Sequence, residues 1–99
     1  MLLPKAYEAN QVITFKTIFG EEIISRIKEE TDTTYILNKP LVLIQVQSGL
    51  GLAPVAFSIS ATDSLVLNKT AVALHGATDQ EIANQYLSKT TGLTLATSL

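Results

Sequence analysis

The residues that carry acid–base or metal-binding chemistry are few in this sequence, and they are not spaced for catalysis. His75 is the only histidine and cysteine is absent, so thiolate metal sites and cysteine nucleophiles are excluded and His75 has no similar ligand to join it. The acidic pairs Glu21-Glu22 and Glu29-Glu30 are adjacent in sequence, and adjacent residues of a strand point to opposite faces. We therefore interpret both pairs as solvated edges and predict no enzyme activity, no cofactor and no metal.

Composition narrows the class of protein further. The chain has 99 residues, of which 46% are hydrophobic and 16% charged, which fits one domain and excludes intrinsic disorder. Its net charge is −2 and no basic stripe is present, so broad phosphate-driven binding to duplex DNA is not expected. The apolar content is high for so small a domain, which indicates contact with another subunit. Because Pro4 soon interrupts the short apolar start, we predict no secretory signal and a cytoplasmic protein.

Alternating residues and turn formers predict antiparallel strands in the first half of the chain. Residues 11–17 alternate, with Ile13 and Phe15 on one face, and Gly20 supplies a turn. Residues 22–30 fit either an amphipathic helix or a strand, and their β-branched isoleucines favour a strand with Ile23, Ser25 and Ile27 inward. After a second turn at residues 31–33, the next strand should be interrupted at residues 38–40 by an edge or a bulge, since proline cannot donate to a ladder.

The middle of the chain, residues 40–62, carries no charge and is long enough to span a bilayer. Polar residues and glycines divide it, so we predict a hairpin instead of a membrane helix, with its tip at residues 48–51. Residues 55–60 give the cleanest alternation in the chain and predict a strand. Residues 41–46 are apolar on both faces, so the core and something else must cover them.

Two short apolar runs and a helix complete the chain. The runs at residues 65–67 and 72–74 predict two short strands. Thr78 followed by Glu81 matches a capping box, which predicts a helix over about residues 79–88. Its narrow apolar stripe suits a helix that lies across a barrel end: Ile82, Ala83, Tyr86 and Leu87. The uncharged tail at residues 93–99 is expected to be loose.

Two stretches of the chain resemble the motifs of a known family. Residues 12–27 resemble the first Sm motif, in which a strand, a glycine turn and a second strand carry fixed apolar positions. Residues 67–72 resemble the second motif, which joins two short strands. The chain as a whole is similar to small Sm-like proteins encoded by marine phages. This resemblance implies a mostly β fold: one domain over residues 1–99, with a five-stranded, strongly bent antiparallel barrel of the Sm-like (SH3-type) class at about residues 11–75 and a C-terminal α-helix.

The resemblance also implies a binding site at two turns. In Sm-like rings the turns before the third strand and before the last strand face a central pore, where the bases of a single strand stack and accept hydrogen bonds. The equivalent residues here are Asp32, Thr33, Tyr35, Asn68 and Lys69. An aromatic ring, an amide and a cation suit contact with single-stranded nucleic acid. The alternative is a tyrosine that packs in the core and an Asn-Lys turn.

The resemblance therefore implies a cyclic homo-oligomer of about five to seven copies that binds single-stranded nucleic acid, RNA more readily than DNA, and no membrane. Its location would be the host cytoplasm if the protein is phage-encoded. The alternative is a structural or adaptor ring that binds only protein. The acidic net charge and the missing asparagine after Asp32 favour this alternative, whereas the barrel type favours the ring that binds nucleic acid. Ile36 stands where the family has asparagine after Asp32, and Asn68-Lys69 replaces the arginine and glycine of the second motif.

Overall fold

The computed structural model describes residues 7–56, 58–59 and 64–91. These residues are mostly β-sheet, followed by one helix, as predicted, but they contain six strands where five were expected. The elements are β1 Val12–Thr17, β2 Glu22–Glu30, β3 Thr34–Val46, β4 Gly49–Pro54, β5 Leu65–Asn68, a 3₁₀ helix Lys69–Ala71, β6 Val72–Ala77 and α1 Gln80–Thr91.

The strands form one bent antiparallel sheet. Their order is β4-β3-β2-β1-β6, and β5 pairs with the first part of β3. β3 changes partner along its length, because Thr34–Leu37 pairs with β5 and Leu41–Val46 pairs with β4. This long strand therefore connects two parts of the sheet.

A bulge in β3 lies at the proline, which confirms that prediction. Ile24 pairs with Leu41 and Arg26 pairs with Asn38, so one residue of β2 faces two residues of β3. One of those two, Lys39, has a φ of 55°. This left-handed backbone costs a residue other than glycine about 1–2 kcal/mol. Interactions elsewhere must therefore hold the bulge in place.

Residues 22–30 form the strand β2 and not a helix, which confirms the preferred interpretation. Its burial differs from a simple alternation, since Ile24 is buried as well as Ile23 and Ser25. The reason is that both faces of the sheet are covered. On one face α1 encloses a cluster formed by Val12, Ile24, Leu52, Ala83 and Tyr86. On the other, the bent sheet encloses Ile13, Phe15, Ile23, Tyr35 and Leu37.

The hairpin formed by β3 and β4 was predicted correctly, but the position of its tip was wrong. Val46 pairs with Gly49, so the turn is Gln47-Ser48 and residues 49–51 belong to β4. Pairing ends at Leu41 opposite Pro54, where the bulge of β3 begins. Val55 and Ile59 consequently lie outside any strand in spite of their alternation, and Phe57 falls outside the described residues. A short turn sets the register, and the alternation of residues 55–60 cannot override it.

The helix was predicted correctly, but its cap was not. Asp79 accepts the backbone N–H of Glu81 at 3.1 Å through Oδ2, so Asp79 caps the helix. The hydroxyl of Thr78 instead lies 2.9 Å from that of Thr14 on β1. The predicted apolar stripe does face the sheet, with Ala83 and Tyr86 buried. Within the described ranges, no helix has both the length and the apolar character needed to cross a membrane.

Candidate functional site

The structure brings the two sequence-predicted turns together. β3 and β5 pair so that Thr34 lies opposite Asn68 and Tyr35 opposite Leu67. The backbone N–H of Lys69 donates to the carbonyl of Thr33 at 2.9 Å. Residues that are far apart in the chain thus meet at one end of the β3–β5 pair: Asp32, Thr33, Tyr35, Asn68 and Lys69.

Threonine hydroxyls organise the first of these turns. The Thr31 hydroxyl accepts the backbone N–H of Thr34 at 3.0 Å and lies 2.6 Å from the Thr34 hydroxyl. Such local side-chain bonds replace ladder hydrogen bonds in turns. Asp32 and Thr33 remain exposed at the tip. The turn therefore presents a carboxylate and a hydroxyl to solvent.

Lys69 is already paired. Its Nζ donates to Oε2 of Glu30 at 2.6 Å and lies 5.0 Å from the centre of the Tyr35 ring. The hydrogen bond to Glu30 raises the pKa of Lys69, and the nearby charges of Glu30 and Asp32 act in the same direction. The cation predicted to meet phosphate is therefore held by a carboxylate of the same chain.

Tyr35 lies in the core instead of presenting its ring to solvent. It is 6% exposed, and its ring centre is 4.8 Å from that of Phe15 and 6.0 Å from that of His75. A base needs an open aromatic face to stack on, and Tyr35 offers none in this conformation. The geometry agrees with the alternative interpretation of a core-packing tyrosine.

His75 belongs to this region, which the sequence did not reveal. It lies opposite Phe15 in the β1–β6 pair, and its Nδ1 is 2.6 Å from the Tyr7 hydroxyl. Its ring also makes an edge contact with that of Tyr7, with ring centres 5.7 Å apart. Desolvation is the main cause that raises the pKa of Tyr7, and the electrostatic effects of Tyr35 and Glu30 raise it further. Only the pairing of β1 with β6 identifies His75 as part of an aromatic cluster with Tyr7, Phe15 and Tyr35.

The charge around the two turns is negative. Glu30 binds the amine of Lys69, the charge of Asp32 also acts on that amine, and the amine of Lys28 donates to Ser64 at 2.8 Å. Such a surface repels phosphate unless a partner brings its own cations. In the part of the chain that the structure describes, no group of three or more histidines and carboxylates is placed to hold a metal ion.

Exposed apolar residues lie on the free edges of the sheet. Among the described residues, β5 pairs only with β3 and β6 only with β1. Val66 on β5 is 63% exposed and Leu74 on β6 is 65% exposed. Phe19, in the turn after β1, is 81% exposed. Unpaired edges with apolar side chains are natural places for another chain to add.

Neither a protein-family model nor a curated protein sequence matches this chain.

Proposed function

We propose that the chain is a subunit of an Sm-like homo-oligomeric ring that acts as a structural or adaptor ring for protein partners. The observation that carries this proposal is the Lys69–Glu30 ion pair, with an N–O distance of 2.6 Å, beside the buried ring of Tyr35. Together they remove the free cation and the free aromatic face that single-strand binding needs.

The order of the elements supports the Sm-like part of the proposal. Residues 12–27 form β1, a turn with Gly20 at a φ of 101°, and most of β2. Residues 67–72 join the two short strands β5 and β6 through the 3₁₀ helix. Both stretches therefore have the local structure that the resemblance to the two Sm motifs implies. The helix differs in place, since it follows the last strand.

The free edges of β5 and β6 support the ring. An exposed edge with apolar side chains tends to pair with another chain, and a ring closed through β5 and β6 leaves neither of these two edges unpaired. Pairing of β5 of one copy with β6 of the next would cover Val66 and Leu74. By analogy with the family, the ring has about five to seven copies.

A ring would repeat the acidic turns once in every subunit. Each copy adds the exposed Asp32 to a Lys69 whose charge is balanced by Glu30. The repeated contacts then favour a partner with positive charge, because weak contacts in a ring add through multivalency. A protein segment can carry that charge, and a nucleic acid cannot.

One observation favours the second candidate, a ring that binds single-stranded nucleic acid. The hydrogen bond from the Lys69 N–H to the Thr33 carbonyl joins the two turns, and the Asn68 side chain is exposed beside them. If a phosphate of the nucleic acid displaced Glu30 from its ion pair with Lys69, the Lys69 amine would be free to bind that phosphate.

Two measurements test the proposal. Light scattering measures the mass of the assembly, and fluorescence anisotropy with short U-rich and A-rich oligonucleotides at two salt concentrations measures binding. We expect a ring that binds neither RNA. Glu30→Gln removes the carboxylate that pairs with the Lys69 amine and keeps the shape of the side chain at position 30. Lys69→Met removes the positive charge of Lys69 itself. Micromolar RNA binding by the unaltered ring, lost in Lys69→Met, would favour the nucleic-acid candidate, and a monomer would overturn the ring.

A further inference from the structure

A groove runs beside the C-terminal end of α1. Its cavity measures about 450 Å³, which lies within the range of about 300–1,000 Å³ that is usual for binding sites in proteins. Its rim includes Lys39 and Lys89, and residues of β3 and β4 form an apolar floor: Pro40, Leu41, Leu52 and Pro54. None of the lining residues belongs to the two acidic turns, so the groove is a separate site.

β4 adds an unpaired sheet edge to the groove. Val46 and Gly49 close a two-residue turn and therefore form a hydrogen-bonded pair, and such pairs alternate along an antiparallel hairpin. The backbone N–H and C=O groups of Leu50 and Leu52 consequently point away from β3. Among the described residues, no strand pairs with this side of β4. Pro54 has no N–H, so the edge offers the donors of Leu50 and Leu52 and three carbonyl acceptors to an extended chain.

The rim of the groove carries positive charge. The amine of Lys39 donates to the backbone carbonyl of Thr90 at 3.0 Å, which is a neutral acceptor, and Lys89 is exposed in the last turn of α1. The two ion pairs formed within the described ranges involve neither lysine. An anionic group at this end of the groove would therefore be attracted by two ammonium groups that no carboxylate of the described residues neutralises.

We propose that the groove binds an extended segment of a protein partner, added as a strand beside β4, in which alternate apolar side chains are followed by a carboxylate. The main chain of the segment pairs with Leu50 and Leu52, as in other cases where a peptide joins a sheet edge. Alternate side chains of an extended chain share one face, so the apolar ones contact the floor and the carboxylate meets Lys39 and Lys89. The inference rests on the protein-partner part of the proposed function and requires neither the ring nor the acidic turns.

The combination of the edge and the charge favours such a segment over other occupants. A fatty acid could contact the floor and the lysines, but it has no backbone groups to pair with the edge of β4. A second copy of β4 could pair with that edge, but residues 40–62 carry no charge, so the hairpin of another copy brings no carboxylate to Lys39 and Lys89. A basic segment of the kind that suits the acidic turns is repelled by the two lysines.

A titration of the ¹⁵N-labelled full chain with a short peptide tests the site. The peptide is acetyl-Thr-Leu-Thr-Leu-Thr-Glu-Thr-amide, and its control carries lysine in place of glutamate. We expect saturable shifts of the amide signals of Leu50, Leu52 and Lys89, unchanged signals in the turn at residues 31–33, and binding of the control weaker by about fivefold. The absence of saturable shifts in the groove at about 1 mM peptide, or equal binding of the two peptides, would overturn the proposal.

Two methylated peptides test the pairing with β4. One is N-methylated at both leucines, and the other at the two threonines that directly follow them. Successive residues of a strand direct their N–H groups to opposite edges, so one peptide loses the donors that face β4 and the other keeps them. We expect the first to bind at least about tenfold more weakly, because two backbone hydrogen bonds are lost, and the second to bind like the unmodified peptide. Equal affinities of the two would show that no strand is added and would overturn the proposal.

Protein variants test the charge of the rim. Lys89→Met removes one ammonium group of the groove and should weaken peptide binding by about fivefold. Lys16→Met removes the same charge from a lysine that pairs with Glu22 and does not line the groove, and it should leave peptide binding unchanged. Equal affinities of the two variants would contradict the role given to Lys89.

Two further samples test the other occupants. Dodecanoate that shifts the same signals with the affinity of the peptide would assign the groove to a fatty acid. Signals of Leu50 and Leu52 that move with protein concentration in the absence of peptide would assign the edge to a second copy. Either result would overturn the proposal. All these measurements follow the groove of a single chain, so a monomer in light scattering would overturn the ring and leave the results expected here unchanged.

Discussion

The hydroxyl oxygen of Tyr86 on α1 lies 2.8 Å from the carbonyl oxygen of Lys39, the residue with left-handed backbone in the bulge of β3. It is also 2.8 Å from the carbonyl of Asn38, and it donates its single proton to one of the two at a time. The carbonyl of Asn38, which stays opposite Arg26 in the register, also accepts from the Ser25 hydroxyl at 3.1 Å, and the helix supplies a further donor to the two carbonyls of the bulge. Tyr86 thereby links the position of the helix to the bend of the sheet.

Tyr86→Phe should destabilise the protein. The ring still fills its place in the core, but a partly buried carbonyl of the bulge loses the hydroxyl donor of Tyr86, which costs about 0.5–1.5 kcal/mol. Urea unfolding followed by circular dichroism measures the free energy of unfolding. The control is Tyr7→Phe, which removes a hydroxyl from an exposed hydrogen bond to His75 and should cost less. Equal losses in the two variants would contradict the role given to Tyr86.

Stability should fall at alkaline pH in a way that depends on Tyr86. Burial raises the pKa of Tyr86 above its usual 10.0, although Arg26 opposes this shift. Because its pKa is raised, Tyr86 holds its proton more tightly in the folded state than in the unfolded state. The contribution of Tyr86 to the free energy of unfolding is therefore complete below pH 10.0, and it is lost as the pH rises through the pKa of Tyr86 in the folded state.

Urea midpoints compared at about pH 8 and about pH 11 test this dependence. Tyr86→Phe should show a smaller decrease between the two than the unaltered protein. The remaining decrease includes Tyr7, whose pKa burial also raises. An identical decrease in both proteins would mean that Tyr86 ionises as freely in the folded state as in the unfolded state.

Asp79 should stabilise α1 as its N-cap. Asp79→Ala removes the oxygen that accepts the Glu81 N–H and should lower the free energy of unfolding by about 0.5–2 kcal/mol. Asp79→Asn keeps an acceptor oxygen and should cost less. If chemical denaturation gives the same loss for both variants, the hydrogen bond does not contribute.

A charge on the free edge of β6 should break the assembly. Leu74→Lys places an ammonium group where neighbouring copies are proposed to pair, so the mass from light scattering should fall toward that of a monomer. Leu50→Lys on β4, where the side chain is 51% exposed, is the matched control and should leave the assembly intact. Loss of the assembly in both variants, or in Leu50→Lys alone, would place the interface elsewhere.

Much of the secondary structure could be predicted because its causes are local. Alternation predicted β1, a glycine predicted the turn after it, and Pro40 predicted the bulge. The stripe that contains Ala83 and Tyr86 predicted the face on which α1 packs. Val55 and Ile59 show the limit of such reasoning, because alternation makes a strand only where a partner strand remains to be paired.

The candidate site could be predicted only in part. The sequence indicated which turns carry Asp32 and Lys69, and the pairing of β3 with β5 brings those turns together. The sequence did not indicate that Glu30 would neutralise Lys69 at 2.6 Å, nor that His75 would lie beside Tyr7. Each of these contacts depends on the registers of several strands at once.

The sequence by itself determined the strand-rich character of the chain, its helix and the lack of cysteine chemistry, since composition and short-range periodicity decide these properties. The tertiary structure alone decided that Tyr35 faces the core and that Lys69 is paired. The physical reason is that a side chain's exposure and its partners depend on which strands lie beside its own. Which strands lie side by side is determined by the burial of the whole sheet, with one face packed against α1 and the other enclosed by the bend of the sheet.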